Sequence, residues 1–433
     1  MTAASDRFRT HLAVPLYRNG YLLTLGAGFG SMAGFLFWTI AARRYSPSVV
    51  GINSATISAM ILVSAVCQLG LNAVVVRYLP AAGSVTRRLL VAIYAITCAL
   101  SAVAAAGVAL TSTTWGPPRL AFLSHGWWPV AFAAATVCWT VFTLQDSALT
   151  GMRAAHWVPI ENSIFSLVKI ALLLAFVGSL SRSGIFWAWN LPVLLSLVPI
   201  NALIFGRLLP RHVAKTDLRT LDLRAVARFA GHNYVGSLFL LGSSTLLPVV
   251  VASEVGSEQT AFFYIPWTIA TGVQLVALST STSLMVELAF DESRIGDYAR
   301  RVLRQTLRLI VPAVVVLVAA APWVLRAFGR RYAAEGDTLL RLLALAAIPN
   351  VLSVLGLAIA RIRHDGRMVL GIQSATFVGT LGVSFVLLPR IGIVGVGWAW
   401  LATQTAIAAW LLARSLRQIL SAQPSAGARG RAR

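Results

Sequence analysis

Charge is scarce in this chain, and acid is the scarcer sign. Of 433 residues only 12% are charged, with 14 Asp or Glu against 36 Lys or Arg. A soluble domain carries roughly 25% charged residues, so a water-facing globular fold is excluded. Cysteine is nearly absent too. Cys67, Cys98 and Cys138 all fall in apolar runs, without metal-ligand spacing or the loop context of a disulfide framework, and read as small core residues. There is no Walker sequence, no HExxH motif and no Cys/His set. The GAGFG run at 26–30 lies in an apolar stretch with no strand before it, so it is not a nucleotide loop. No cofactor or metal is implied.

What is abundant is hydrophobic: 58% of the chain is apolar and the mean hydropathy is +0.77. Stretches of about 20 apolar residues are long enough to cross a bilayer as helices. Twelve are expected, at 20–42, 50–76, 89–110, 127–150, 156–178, 184–206, 232–252, 261–288, 305–328, 338–360, 368–388 and 392–413. The fold class is therefore an all-α polytopic membrane protein. The start, MTAASDRFRTHLAVPLYRNG, is polar and basic, and the run after it is long enough to span, so no cleavable leader is expected.

The net charge of +22 could suggest nucleic acid, but its distribution argues for topology. With the N-terminus inside, 26 basic residues fall in inner segments and nine in outer ones, with Lys169 inside a span. That asymmetry predicts an even span count and two cytoplasmic termini, with no nucleic-acid partner. The link 207–231 divides the spans six and six. Its Leu218, Leu221, Leu223, Val226 and Phe229, set among Arg and Asp, suit either a helix lying on the inner membrane surface or a solvated connector. The expected organisation is a bundle over 1–206, this linker, a bundle over 232–420 and a disordered basic tail over 421–433. A parallel repeat of the two halves is compatible with the pattern, weakly at the level of residues.

The informative charges are those inside spans. Asp146, Arg153, Glu161 and Lys169 lie within QDSALTGMRAAHWVPIENSIFSLVKIALLLAFVG, residues 145–178. A charge in a bilayer is costly and marks a functional site whose partner must be found. Asn162, Ser166 and Lys169 share one helix face at i, i+4 and i+7, with Glu161 at its edge. Lys169 is eight residues past Glu161, roughly 12 Å deeper at 1.5 Å per residue. It is either a cation that meets a phosphate or acidic sugar, or half of a structural ion pair. Asp146, Arg153 and Glu161 read as an ion-pair cluster at the inner gate, or as coupling groups, since a desolvated carboxylate can carry a proton.

In the second span Ser64, Gln68 and Asn72 follow at i, i+4 and i+8, with Arg77 near the inner end. They are either glue between helices or contacts for a hydroxyl-rich ligand. Most of the 13 Trp are expected as interfacial anchors, Trp115, Trp127 and Trp128 among them. Trp267, beside Thr268, Thr271 and Gln274, is the aromatic candidate for a cavity. The second half has only mild polar residues within its spans, which suggests that the first half grips an anion. Glycines such as Gly26, Gly28, Gly30, Gly34, Gly392, Gly395 and Gly397 are expected to permit close helix packing.

The segments YSPSVVGINSATISAMILVSAVCQLGLNAVVVRYLP (45–80), QDSALTGMRAAHWVPIENSIFSLVKI, FGRRYAAEGDTLLRLLALAAIPN (328–350) and IGIVGVGWAWLATQT (391–405) resemble the polysaccharide exporters and lipid-linked oligosaccharide flippases of the multidrug/oligosaccharidyl-lipid/polysaccharide exporter superfamily. The resemblance covers most of the chain. It implies two six-helix bundles around a central cavity, alternating access, and location in the bacterial inner membrane. The substrate it implies is a lipid-linked glycan whose lipid stays in the bilayer. Membrane lipids and glycan-assembly proteins are the further partners. A drug or metabolite antiporter of the same superfamily is the alternative, and would want a deep acidic site where this chain has Lys169. A membrane glycosyltransferase or polymerase would want outer acids, which ARRYSPSVVG lacks. A glycan-assembly scaffold is the remaining reading.

Overall fold

A computed structural model describes residues 15–115, 118–213, 223–288, 295–363 and 365–421. Twelve long helices run in order: α1 Pro15–Arg44, α2 Pro47–Cys67, α3 Thr86–Leu110, α4 Trp128–Gly151, α5 Trp157–Phe176, α6 Gly184–Leu203, α7 Leu223–Glu254, α8 Ser257–Leu288, α9 Ile295–Arg326, α10 Arg330–Ile362, α11 Gly366–Ile391 and α12 Val394–Ser421. No strand occurs among the described residues. Ten of these helices are long and apolar enough to cross a membrane on the described residues; the other two long helices, α1 and α8, have 30 and 32 residues. Each expected span is helical, the second in two pieces, because in lipid a backbone must satisfy its own hydrogen bonds, and a helix does so within one segment.

The boundaries depart from expectation wherever polar residues extend a helix past its apolar stretch. Helix α7 opens at Leu223, so Val226 and Phe229 belong to it and not to a separate surface helix. Helix α6 continues through a π turn at Ile204–Leu208 and on to Val213. Leu218 and Leu221 of the expected surface helix and the tail over 422–433 lie outside the described residues, and so do the surroundings of Gly26. Helix α9 opens at Ile295, ten residues before its expected span.

The second span is not one helix. It ends at Cys67, and a short helix, Leu71–Tyr78, follows. Between them Leu69 and Gly70 adopt left-handed φ of 51° and 71°. A glycine takes this conformation without strain, whereas a leucine does so at a cost. Gly70 is required for a second reason, because a Cβ there would lie 2.7 Å from the Ala230 carbonyl oxygen.

The chain forms two compact units, one of Met1–Thr268 with Trp323–Gly336, the other of Ile269–Pro322 with Asp337–Arg433. In the first, Val74, Val75, Leu79, Leu90, Leu144 and Leu149 form a core in which each is fully buried. Asn53 clamps α2 to the start of α6: its amide donates to the Val49 and Arg182 carbonyls and its Oδ1 accepts from Phe186 N. Helix α2 meets the start of α8 closely at Gly51, where any Cβ would collide with the Ser257 carbonyl. Arg43 at the end of α1 donates through Nε to the Ala327 carbonyl, serving a carbonyl that a helix end leaves open. In the second unit Ile310, Val314, Ala344, Ala347 and Val351 join α9 to α10.

The glycines divide by position. Gly395 and Gly397 do sit against Leu387 and Leu342, with a Cβ at 2.7 and 3.0 Å. Gly28, Gly30, Gly34 and Gly392 have nothing within 4 Å of a Cβ, so they are not packing sites, and Gly392 instead serves a turn at φ 63°.

Candidate functional site

Lys169 is 4% exposed on α5, and its ammonium lies among aromatic faces. Nζ is 4.4 Å from the Trp189 ring centre, 4.7 Å from Phe165 and 5.4 Å from Phe37. Three helices build this cage, α1, α5 and α6, each contributing one ring. The rings support one another, with Trp189 set edge-on to Phe37 at 5.6 Å and to Phe165 at 5.8 Å. Trp139, Phe142 and Trp38 extend the cluster. Ring faces attract a cation, by about 2 kcal/mol or more when water is excluded. No ion pair among the described residues involves Lys169. Beside it the Trp189 Nε1–H is buried and without a partner. Among the described residues neither the ammonium nor the indole N–H of the neighbouring ring has a protein acceptor, which is chemistry suited to an anion.

Two turns earlier on α5 stands a different arrangement. Glu161 is 3% exposed, and its Oε1 accepts a hydrogen bond from the Gln145 amide. Gln145 Oε1 in turn accepts from Asn201 Nδ2 at 2.9 Å. Asp146 Oδ2 accepts from Asn162 Nδ2 at 3.3 Å. One oxygen of each carboxylate, Glu161 Oε2 and Asp146 Oδ1, is buried with no hydrogen bond of good geometry, the Ser196 hydroxyl lying near Glu161. The buried Tyr94 hydroxyl has no hydrogen-bond partner among the described residues and lies within electrostatic range of both carboxylates. Arg153 does not join them. It is exposed, in the turn after α4 at a left-handed φ of 59°, and the expected ion-pair cluster is absent among the described residues. Amides, not guanidinium, hold these carboxylates.

The remaining candidates separate. Gln68 Nε2 donates to Thr143 Oγ1 at 2.9 Å and to Ser64 Oγ at 3.2 Å, and Thr140 links Ser64 to Ser101. This hydroxyl chain joins α2, α3 and α4. Asn72 does not share its face, since the left-handed break intervenes; its Oδ1 accepts from Ala73 N. Arg77 is exposed with its guanidinium 4.5 Å from the Phe229 ring centre. Ser166 is buried at 3% exposure, one turn from Lys169. Trp267 is 4% exposed and stacked on Phe263 at 5.7 Å, part of a packed interior and not a bare wall. Gln274, with a buried unpartnered Nε2, falls in the other compact unit. Trp127 stacks on Trp128 and Trp187 and is 56% exposed. No group of His, Cys, Asp and Glu able to hold a metal occurs among the described residues.

Sequence reasoning missed Gln145, Asn201 and the cage rings Phe37, Phe165 and Trp189. The amides were in view only as polar residues in apolar runs. The rings come from three helices distant in sequence and carry no common spacing.

No family model matches the chain, and no curated protein matches it. Solved structures do. The chain is similar to an inward-facing multidrug resistance MATE family transporter of the MOP superfamily, with a TM-score of 0.69, 14% identity, and 92% of this chain and 96% of that one covered. It is similar to the lipid II flippase MurJ in an inward closed conformation, with a TM-score of 0.73, 11% identity, and coverage of 92% and 87%. A MOP superfamily transporter from Pyrococcus furiosus, described as having reversed polarity of its binding pocket, matches with a TM-score of 0.59, 12% identity, and coverage of 95% and 96%. The fold is that of the MATE and MurJ transporters, as the resemblance implied.

Proposed function

We propose that this chain is a transporter that moves a lipid-linked oligosaccharide or polysaccharide precursor outward across the cytoplasmic membrane by alternating access, with both termini cytoplasmic. The observation that carries this reading is the Lys169 cage: a buried ammonium and an unused indole N–H with no protein acceptor among the described residues. An anionic headgroup supplies that acceptor, and the surrounding ring faces suit the apolar face of a sugar. A cationic drug would be repelled there. Outward movement of negative charge is favoured by an inside-negative potential, at about 2.3 kcal/mol per charge per 100 mV. The likeness to a lipid II flippase supports the choice of a lipid-linked cargo.

A second reading, an ion-coupled antiporter of drugs or metabolites, draws on the half-satisfied carboxylates Asp146 and Glu161. They suit a coupling proton or cation equally in a flippase.

The test is headgroup translocation in sealed vesicles, with a lipid-diphosphate-linked sugar and wild type beside Lys169→Ala. Wild-type transport that collapses in a folded variant supports the reading. Transport by neither protein under any imposed potential or ion gradient, with several glycans, rejects it in favour of the antiporter.

A further inference from the structure

Three helices change compact unit part-way along their length. Helix α8 belongs to the first unit as far as Thr268, α9 only from Trp323, and α10 only as far as Gly336. The tips held in the first unit are therefore the start of α8 and the turn between α9 and α10. The α7–α8 and α9–α10 connections each join an odd helix to the next even one, as the α1–α2 turn does. In a chain of alternating spans such connections fall on one side of the membrane, and the orientation proposed above makes it the outer side.

The tips are tied to each other and to α1 and α2. Arg331 Nη2, at the start of α10, lies 2.6 Å from Glu258 Oε1 of α8, and Tyr332 stands edge-on to Phe262 at 5.1 Å. Arg43, at the end of α1, donates through Nε to the Ala327 carbonyl and through Nη2 to that of Arg326 at 3.5 Å. A cation is well placed there, because the carbonyls at a helix end lack backbone partners and carry partial negative charge. Phe35 of α1 meets Phe328 edge-on at 5.0 Å. On α2, Ser48 Oγ is 2.8 Å from Ser257 Oγ, and Gly51 leaves room for the Ser257 carbonyl.

The chemistry of this contact suits one that is made and broken. The Arg331 and Glu258 side chains are exposed, and exposed ion pairs hold weakly. Where α2 faces α8 the residues are small, Ser48 and Gly51 against Ser257 and Ala261. Small residues let helices approach closely, and such faces can part without unlocking large side chains. The backbone is also weak where these helices change unit. Pro266 lies two residues before the α8 crossing, Pro322 at that of α9 and Gly336 at that of α10. An internal proline removes a helical hydrogen bond, and helices bend where that ladder is interrupted. We propose that the α8 start and the α9–α10 turn form an outer latch, held shut by Arg43 and by the Ser48–Ser257 contact, which releases by bending at Pro266, Pro322 and Gly336. The proposal rests on the alternating-access reading above and assigns the contact that must open in it.

A double variant, Ser48→Cys with Ser257→Cys, tests the latch in full-length protein whose three native cysteines are replaced by alanine. Hydroxyls 2.8 Å apart put two thiols within reach of a disulfide. Oxidation is expected to join them and stop translocation of a lipid-diphosphate-linked sugar in sealed vesicles, and reduction to restore it. Full transport by the cross-linked protein would overturn the proposal, because the contact would then stay shut throughout the cycle. Failure to cross-link would overturn it too. A second readout needs no cargo. Ser257 is 2% exposed, so a maleimide should label the single variant Ser257→Cys slowly in purified protein. Adding Arg43→Ala should speed labelling about tenfold, the scale of one charge-assisted bond, at an unchanged melting temperature. Arg43→Lys, which keeps the charge and loses the fork, should speed it less. Equal rates with and without Arg43 would refute the latch. Absent translocation with Arg43-dependent labelling would sink the lipid-linked cargo and leave the latch standing. Translocation indifferent to the cross-link would do the reverse.

Discussion

Lys169 Nζ stands 4.4 Å from the centre of the Trp189 ring, and the indole N–H of that ring has no acceptor among the described residues. The lysine is therefore held by ring faces and left with its hydrogen-bonding capacity unspent. A structural ion pair would look different, with a carboxylate at 4 Å or less. Burying an ammonium without such a partner costs stability, and the cage recovers part of that cost.

It follows that Lys169→Met, which keeps the length and removes the charge, leaves stability unchanged or raises it by about 1 kcal/mol. Transport of a lipid diphosphate is expected to fall at least about tenfold in the same variant, on the scale of one lost charge-assisted bond. Thermal unfolding in detergent and vesicle transport measure the two effects. A variant that unfolds earlier and transports normally would make Lys169 a structural residue. Trp189→Phe retains a ring and removes the N–H, so a smaller loss of transport with intact folding is expected.

Gly51 gives a packing prediction. A Cβ there would collide with backbone, the Ser257 carbonyl, in a place where Ser48 Oγ and Ser257 Oγ already meet at 2.8 Å. Gly51→Ala must separate α2 from the start of α8 and should cost about 3 kcal/mol or more, at the upper end for overpacking. Gly34→Ala meets nothing within 4 Å and should be neutral or stabilise α1 by up to about 1 kcal/mol through helix propensity. Melting temperatures of the pair decide it; similar values for both variants would refute the close contact.

The spans were legible because hydropathy alone decides them: a stretch such as 89–110 has no other stable state in lipid. Helix ends were less so. Helices α7 and α9 carry arginines on turns that extend beyond the apolar core, and a hydropathy pattern assigns such turns to loops. The α9 arginines therefore read as loop charges in the sequence. Lys169, Glu161 and Asp146 stood out because in-span charge is rare. Their surroundings did not. The cage needs Phe37, Phe165 and Trp189 from three helices, and Glu161 is held by Gln145 and Asn201, residues whose polarity gives no sign of their partner. The expected role of Arg153 failed for a local reason, since a left-handed turn carries its side chain to the surface.

The break in the second span offers a test of strain. Leu69 sits at φ 51° and is 36% exposed, so its side chain is only partly covered. Leu69→Gly should stabilise the protein by about 1 kcal/mol, the usual cost of a left-handed non-glycine residue. Gly70→Ala should do the opposite, since it meets both an unfavourable φ of 71° and the Ala230 carbonyl oxygen at 2.7 Å. If Leu69→Gly were as damaging as Gly70→Ala in thermal unfolding, the break would be a rigid packing element and not a strained turn.

The carboxylate and amide cluster separates structure from coupling. Gln145 is fully buried and serves two partners at once, donating to Glu161 and accepting from Asn201. Gln145→Leu leaves both without their partner and should destabilise by roughly 1–3 kcal/mol for each orphaned group. Glu161→Gln is a gentler change. Its amide oxygen can still accept from Gln145, and its new N–H₂ takes the position of Oε2, where the nearby Ser196 hydroxyl can accept. Folding should therefore survive. What the variant cannot do is gain or lose a proton, or neutralise a bound cation. If this cluster couples an ion to transport, Glu161→Gln should abolish the response to an imposed proton or sodium gradient while leaving binding of a lipid diphosphate intact. Retention of the full gradient response in a folded Glu161→Gln protein, with Asp146→Asn giving the same result, would confine both carboxylates to packing α4 against α5 and leave the membrane potential as the driving force.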